Sequence, residues 1–340
     1  MSHKACLAFT RALGAAAIFT SFSPACVSPA LAHTIVGNRV FPATLTIDDP
    51  GVNDELALPT FGYMAAANYD GTAGPISYTL GWEYSKTITA DLAVYIGSGG
   101  YTWQKNPSAG GWANLETQLK YVFYQNPEHE FIIAGAANVE WGHTGSGQNS
   151  SLPSDPYTTI TPKIYVGKGF GDAPVDWLRP FAITGEMDYN IPTHPVSAFL
   201  TQDAYGNNII GLDQTPSVLT YGATLQYSLL YANSFVYEVP DLFKRLIPAF
   251  EGVFSSPVSN IGPSAPGNWT HATTGVVGPS IYYIGQTFEI GVMAQLPINR
   301  ASGKHVGAVA VLDFFLDDIL PDSLGKPLFG PPQPRIANLH

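Results

Sequence analysis

Charged side chains in this sequence fall on the polar faces of segments in which apolar and polar residues alternate. Residues 130–142 place Asn138 and Glu140 between apolar neighbours, and residues 179–189 do the same with Glu186 and Asp188. A period of two predicts β-strands whose two faces meet different surroundings. The polar faces then carry eight carboxylates and two lysines: Glu83, Glu116, Glu140, Glu186, Asp188, Glu251, Glu289 and Asp313, with Lys120 and Lys163. Carboxylates around a common interior attract cations and repel anions, so ion selection is the chemistry that these residues predict.

The same residues allow a second interpretation. Carboxylates that pair with lysines, with Arg179 or with tyrosine hydroxyls would brace a narrow interior without letting any solute through. Side chains fill the interior of an eight-stranded barrel, whereas barrels of sixteen or more strands leave a channel. A non-conducting structural barrel therefore stays open as an alternative.

A different chemistry is suggested by His143-Thr144-Gly145-Ser146 at the end of one segment. The sequence resembles the His and Ser groups of outer-membrane lipid hydrolases, in which a His two residues from the Ser activates it as a nucleophile. Here His143 and Ser146 are three apart, so a strand would direct them to opposite faces. A lipid hydrolase using these two residues is the enzymatic alternative, and we assign no catalytic residue.

Other function classes have no support in the sequence. It contains no Cys/His metal spacing, P-loop, G-x-S-x-G or dinucleotide motif, so we expect neither a metal nor a cofactor. With 15 Lys and Arg against 26 Asp and Glu, the net charge is −11. Nucleic acid is a poor partner for such a chain, because its binding depends on neutralising phosphates.

The elements that would position these residues are twelve strand-length runs separated by Gly, Pro, Asn and Asp. They cover roughly 61–70, 76–88, 92–104, 114–125, 130–142, 159–168, 179–189, 217–231, 248–256, 276–284, 287–297 and 305–316. Short links such as 126–129 and 285–286 alternate with long polar loops such as 190–216. An even strand count with alternating short turns and long loops predicts a transmembrane antiparallel β-barrel, all β, over residues 61–316.

A soluble β-sandwich would also show alternating residues. Three features favour a membrane barrel over a soluble sandwich. The polar faces are rich in Gly, Thr, Ser and Gln, aromatic residues such as Trp82, Trp141 and Tyr231 fall near strand ends, and closure removes exposed sheet edges.

The terminal segments complete the predicted organisation. Residues 1–32 combine Lys4 and Arg11, the apolar run ALGAAAIF and an A-x-A site at Ala30 to Ala32, which predicts a signal peptide cleaved after Ala32. Residues 33–60 are rich in proline. We expect them to enter the barrel as a plug or to cover its periplasmic mouth, and we expect 317–340 to form a periplasmic tail. The link 232–247 predicts two helical turns from Pro240.

The export signal, the start HTIVGNRVFPATLTIDDPGVNDEL and the barrel-like remainder resemble uncharacterised proteobacterial outer-membrane proteins, loosely similar to the meta-pathway phenol degradation transporter-like barrels. The resemblance implies a bacterial outer-membrane location and passage of small molecules, and it transfers no residue roles. The expected function is a passive channel or transporter for small cationic or neutral solutes. Its expected partners are outer-membrane lipid and a small-molecule solute, and association into oligomers stays open.

Overall fold

The computed structural model describes residues 34–67, 73–146, 154–202, 208–262 and 271–331. The predicted signal peptide 1–32 lies outside the described residues. So do residues 332–340 of the predicted tail. The described chain begins with a small hairpin of strands β1 (Thr34–Val36) and β2 (Arg39–Phe41), and irregular backbone then leads to Asp54.

The long strands begin at Glu55. In chain order the remaining strands are β3 (Glu55–Ala67), β4 (Ala73–Thr89), β5 (Leu92–Lys105), β6 (Ala109–Trp112), β7 (Leu115–Asn126), β8 (Phe131–Trp141), β9 (Thr159–Gly169), β10 (Phe181–Pro192), β11 (Val196–Gln202), β12 (Asn208–Gln214), β13 (Ser217–Tyr227), β14 (Leu246–Ser259), β15 (Thr274–Ile284), β16 (Phe288–Pro297) and β17 (Gly307–Phe315). Two short helices are α1 (Leu229–Phe235) and α2 (Leu316–Ile319). Among the described residues, neither helix is long and apolar enough to cross a membrane.

Twelve of these described strands form a closed antiparallel barrel. They are β3, β4, β5, β7, β8, β9, β10, β13, β14, β15, β16 and β17. The circle closes where β17 pairs with β3 and where β4 pairs with β5. The predicted twelve-stranded barrel is therefore confirmed.

Strand register explains how the alternating sequence sorts its side chains. In the β10–β13 pair, Thr184 lies opposite Thr224, and both are buried towards the interior. The next pair, Ile183 opposite Leu225, is exposed on the outer surface, with 42% and 47% of each residue accessible. Repeating this pattern around the barrel gives an apolar outer wall and a polar inner one.

The two ends of the barrel differ. One end has the short links between β4 and β5, β7 and β8, and β15 and β16, and we call it the turn end. The opposite end carries longer connections, including β6 and the β11–β12 hairpin, and we call it the loop end. The described part of the C-terminal tail returns along the turn end, where the backbone N–H groups of Leu328 and Phe329 donate to the carbonyls of Thr87 and Ile88.

Three details differ from the sequence prediction. The first barrel strand begins at Glu55, six residues before the expected start, because an irregularity between Ala57 and Thr60 interrupts its alternation. The strand expected to reach residue 231 ends at Tyr227, since the Ser228 side chain caps α1 by accepting a hydrogen bond from the backbone N–H of Tyr231. The helix predicted from Pro240 was wrong: a turn occupies 241–245.

Candidate functional site

Residues 34–54, which we call the inner segment, run inside the barrel. The Thr44 Oγ1 lies 3.2 Å from the Thr224 Oγ1 of β13, and the Leu45 N–H donates to the Tyr282 hydroxyl of β15 at 2.9 Å. On β5, the Tyr95 hydroxyl donates to the carbonyl of Gly51 at 3.4 Å. These partners belong to the inward faces of separate strands, so the inner segment lies against the inner wall.

Lys120 is the central cation of this contact. Its side chain is fully buried, and its Nζ donates to Asp48 Oδ2 at 2.7 Å and to the backbone carbonyl of Asp49. The same Nζ lies 4.3 Å from the ring centre of Tyr165. A buried cation is tolerated when such partners replace its lost hydration, so the wall and the inner segment depend on each other here.

Lys163 extends this charge network along the wall. Its Nζ lies 3.1 Å from a carboxylate oxygen of Glu186 and 3.1 Å from one of Asp188. The other oxygen of Glu186 accepts a hydrogen bond from the backbone N–H of Asp48 at 2.8 Å. Two wall carboxylates therefore share one wall lysine, and one of them, Glu186, also binds the inner segment.

Glu251 binds the inner segment from the opposite side. One carboxylate oxygen accepts from the backbone N–H of Thr46 at 3.0 Å and from its hydroxyl at 2.9 Å. The other accepts a short hydrogen bond from the Tyr282 hydroxyl. Glu251 thus positions the inner segment instead of facing open solution.

A second anchor lies at the turn end. Arg39 is fully buried, and its Nε donates to Glu130 at 3.1 Å while its guanidinium carbon lies 3.9 Å from the ring centre of Tyr231. The guanidinium also donates to the backbone carbonyls of Arg179 and Pro180. Burial and the neighbouring Glu130 carboxylate raise the pKa of Tyr231 to about 12, so its hydroxyl stays protonated near neutral pH. Tyr231, predicted for an outer aromatic belt, is buried instead, and that prediction was wrong.

Apolar packing surrounds this anchor. Val36, Phe41 and Val52 of the inner segment are almost fully buried. They form one cluster with inward-facing wall residues: Ala93, Tyr95, Val122, Ile132, Ala134, Tyr165 and Ala182. The inner segment therefore packs against inward-facing wall residues in the turn half of the barrel.

Beside the inner segment the barrel interior contains a cavity of about 500 Å³. Among the described residues it is lined by six carboxylates and one lysine: Asp48, Glu55, Glu83, Glu116, Glu289 and Asp313, with Lys163. Tyr95 adds aromatic surface to the wall. Ionised carboxylates in a narrow space create a negative potential that concentrates cations.

The ten residues predicted from the sequence divide into three groups. Five line the cavity: Glu83, Glu116, Lys163, Glu289 and Asp313. Three bind the inner segment: Lys120, Glu186 and Glu251. Two do neither, since Asp188 pairs with Lys163 and Glu140 accepts a hydrogen bond from Asn114 at 2.8 Å.

Sequence reasoning missed the charged residues of the inner segment and its junction with β3. Asp48, Glu55 and Arg39 stand in a proline-rich stretch without a period of two, so no pattern indicated where they point. The motif IDDP, which brings two adjacent acids opposite a lysine-bearing wall, is the one signal that could have suggested them.

The alternative lipid-hydrolase site is not favoured. The Ser146 Oγ accepts a hydrogen bond from the backbone N–H of Trp112 at 2.9 Å, and the backbone of His143 binds Asp155. Within the described residues, no hydrogen bond joins the His143 ring to the Ser146 hydroxyl. The described residues also contain no group of three His, Cys, Asp or Glu side chains arranged to hold a metal ion.

Comparison with known proteins finds similarity in architecture only. No protein family profile and no curated protein matches the chain in sequence. The solved NanC porin is 8% identical over 76% of this chain and 98% of its own, with a TM-score of 0.43. The KdgM porin is 9% identical over 75% and 98%, with a TM-score of 0.40, and OprD from Pseudomonas aeruginosa is 12% identical over 84% and 72%, with a TM-score of 0.32. The fold assignment therefore rests on this chain's own strand pairing, and the resemblance to one transporter-like family stays a prediction.

Proposed function

We propose that this protein is a bacterial outer-membrane barrel that passes small cationic or neutral solutes through an acidic interior. The cavity with six carboxylates and one lysine among its described lining residues carries this proposal. Its volume is suited to a small molecule, since ligand cavities usually measure about 300–1,000 Å³. Thr44 and Asp48 of the inner segment line the same cavity, so we expect this segment to limit passage through it.

The outer wall supports a membrane location. Large apolar side chains such as Leu119 on β7, Ile164 on β9 and Met187 on β10 are each about half exposed. A continuous exposed apolar belt is costly in water but favourable in lipid, and closure satisfies the backbone hydrogen bonds of every strand. Exposed aromatic residues stand near both ends of this belt, Trp103, Trp112 and Trp141 towards the loop end and Trp177 at the turn end.

We expect the protein to sediment with outer membranes and to migrate faster on gels when unheated than when boiled, because a closed barrel resists detergent. Leu119→Arg combined with Ile183→Arg should abolish this behaviour, since each arginine in the lipid-facing belt costs up to about 2–4 kcal/mol. Gln118→Asn, a conservative change on the inner face, is the matched control. A wild-type product that is soluble in the periplasm would contradict a membrane barrel.

We expect a preference for potassium over chloride in planar bilayers with a salt gradient. Glu83→Gln combined with Glu116→Gln should reduce this preference clearly, because it removes two of the cavity carboxylates without changing side-chain size. Glu128→Gln combined with Glu238→Gln changes the same number of charges at exposed turn-end positions and should leave the reversal potential unaltered. A wild-type preference for chloride would refute the proposed selectivity.

A further inference from the structure

The register of neighbouring strands places three cavity carboxylates in one row around the barrel. Asp313 on β17 lies opposite Ala57 on β3, and Ala57 lies opposite Glu83 on β4. Glu83 lies opposite Gly97 on β5, and Gly97 lies opposite Glu116 on β7. All five residues line the cavity. We call them the acidic row, in which three carboxylates alternate with two small residues.

This alternation sets a regular spacing between the carboxylates of the acidic row. Neighbouring strands lie about 4.8 Å apart, so successive acidic residues, which stand two strands apart, are about 10 Å apart at the backbone. Their side chains point into a closed barrel, which brings the carboxylates closer together than the backbones. A Cβ at Gly97 would lie 3.3 Å from the Glu83 Cγ, so a larger residue there would crowd Glu83. The row thus presents acidic groups separated by short gaps with small side chains.

Two buried carboxylate oxygens at the Asp313 end of the row have no donor. Asp313 is only 4% exposed, and it shares a hydrogen bond with Glu55, which lines the same cavity. Even so, Asp313 Oδ1 and Glu55 Oε1 each lack a hydrogen-bond partner within the described residues. Buried polar atoms in native proteins normally have one, so these two oxygens point to a donor that enters the cavity.

The other two carboxylates of the row can also be reached from the cavity. Glu83 belongs to an exposed residue that lines it. Glu116 uses its Oε2 to accept from the neutral side chain of Asn138 at 3.1 Å. The nearby cation Lys163 binds Glu186 and Asp188 on the wall, at 3.1 Å from each. A ligand with several separated donors can therefore contact more than one carboxylate of the row.

These features match a linear polyamine, in which ammonium groups alternate with short methylene chains. A primary ammonium group has three N–H donors and forms charge-assisted hydrogen bonds with carboxylates. Five staggered single bonds of about 1.5 Å hold the nitrogens of 1,4-diaminobutane about 6 Å apart, and a hydrogen bond of about 2.8 Å at each end extends this reach to the next carboxylate of the row. Building on the proposed cation-accepting interior, we propose that the acidic row binds linear polyamines, with one ammonium group at Asp313, the next at Glu83 and methylene groups over Ala57.

The test measures binding of 1,4-diaminobutane to the chain from residue 33 onwards, folded in a neutral detergent, by isothermal titration calorimetry. The comparison ligand is n-butylamine, which has the same carbon chain and a single ammonium group. At mildly alkaline pH both amines keep their protons while unbound carboxyl groups lose theirs. The diamine should bind at least about tenfold more tightly, because its second ammonium group binds within the same site. Heat-modifiable migration verifies that each sample is folded.

Single variants separate the acidic row from general attraction to negative charge. Glu83→Gln should remove the advantage of the diamine, so that it binds no more tightly than n-butylamine, and Asp313→Asn should do the same. Glu140→Gln is the matched control, because Glu140 lies opposite Glu116 in register but is not among the described residues that line the cavity. This control should keep the full preference for the diamine.

The inference is overturned if the folded wild type binds the two amines equally, or if Glu140→Gln loses as much preference as Glu83→Gln. It is also overturned if magnesium, which carries two charges at one point, displaces the diamine at equal concentration. Calorimetry needs no ion flow, so these outcomes are separate from those of the bilayer experiment. A preference for chloride in bilayers would contradict the proposed channel, whereas equal binding of the two amines would contradict only the polyamine site.

Discussion

Deletion of Thr34–Val52 is expected to raise the single-channel conductance of the barrel several-fold. The inner segment occupies part of the interior and binds wall residues on opposite sides, among them Lys120 and Glu251. Without it, those side chains would face a water-filled space continuous with the cavity, because Thr44 and Asp48 of the segment line that cavity. Planar bilayer recordings measure the effect, and equal conductance of the two proteins would place the inner segment outside the permeation path.

A reversible crosslink tests whether the inner segment limits conductance without shortening the chain. The hydroxyl oxygens of Thr44 and Thr224 lie 3.2 Å apart, and a disulfide joins sulfurs about 2.0 Å apart, so cysteines at these positions can bond after a small shift. The chain's two natural cysteines, Cys6 and Cys26, precede the described residues and are omitted from the tested protein. Conductance of the Thr44→Cys and Thr224→Cys variant should fall on oxidation and return on reduction. The single variant Thr224→Cys should respond to neither treatment, and an oxidised double variant that conducts like the reduced one would refute control by the inner segment.

The sequence predicted the barrel wall well because the wall obeys a local rule. Each strand alternates between lipid and interior, so the period of two in 179–189 places Glu186 and Asp188 inside without knowledge of any neighbour. The same rule failed at the start of β3, where Pro59 and the irregular pairing after Ala57 hide the strand period.

What the wall residues do could not be predicted, because it depends on contacts between distant parts of the chain. Lys120 and Glu251 both face the interior, as expected, but their partners are Asp48 and Thr46, more than 70 residues away in sequence. A periodic pattern specifies a direction and carries no information about which segment fills the space in that direction. The sequence therefore predicted eight acids as a selectivity set, whereas in the structure four line the cavity, two bind the inner segment, and Asp188 and Glu140 pair with other wall residues.

Breaking the buried Arg39–Glu130 ion pair at the turn end is expected to lower the stability of the barrel strongly. Arg39→Met alone should lower the free energy of unfolding by about 3–5 kcal/mol, because it leaves the Glu130 carboxylate buried without its cation. Glu130→Gln alone should cost a similar amount by leaving the Arg39 guanidinium uncompensated beneath Tyr231. Urea unfolding in lipid vesicles measures both changes.

The double variant decides whether this loss comes from the pair. Arg39→Met combined with Glu130→Gln removes both charges at once, so it should cost much less than the sum of the two single changes. The exposed pair at the same end, Lys168 and Asp172, has a similar separation of 3.0 Å but is about one third exposed on both sides. Its removal by Lys168→Met and Asp172→Asn should cost at most about 1 kcal/mol, since water already solvates both groups. Additive losses at Arg39 and Glu130, or an equal loss at Lys168 and Asp172, would show that the buried pair does not hold the start of the inner segment in the barrel.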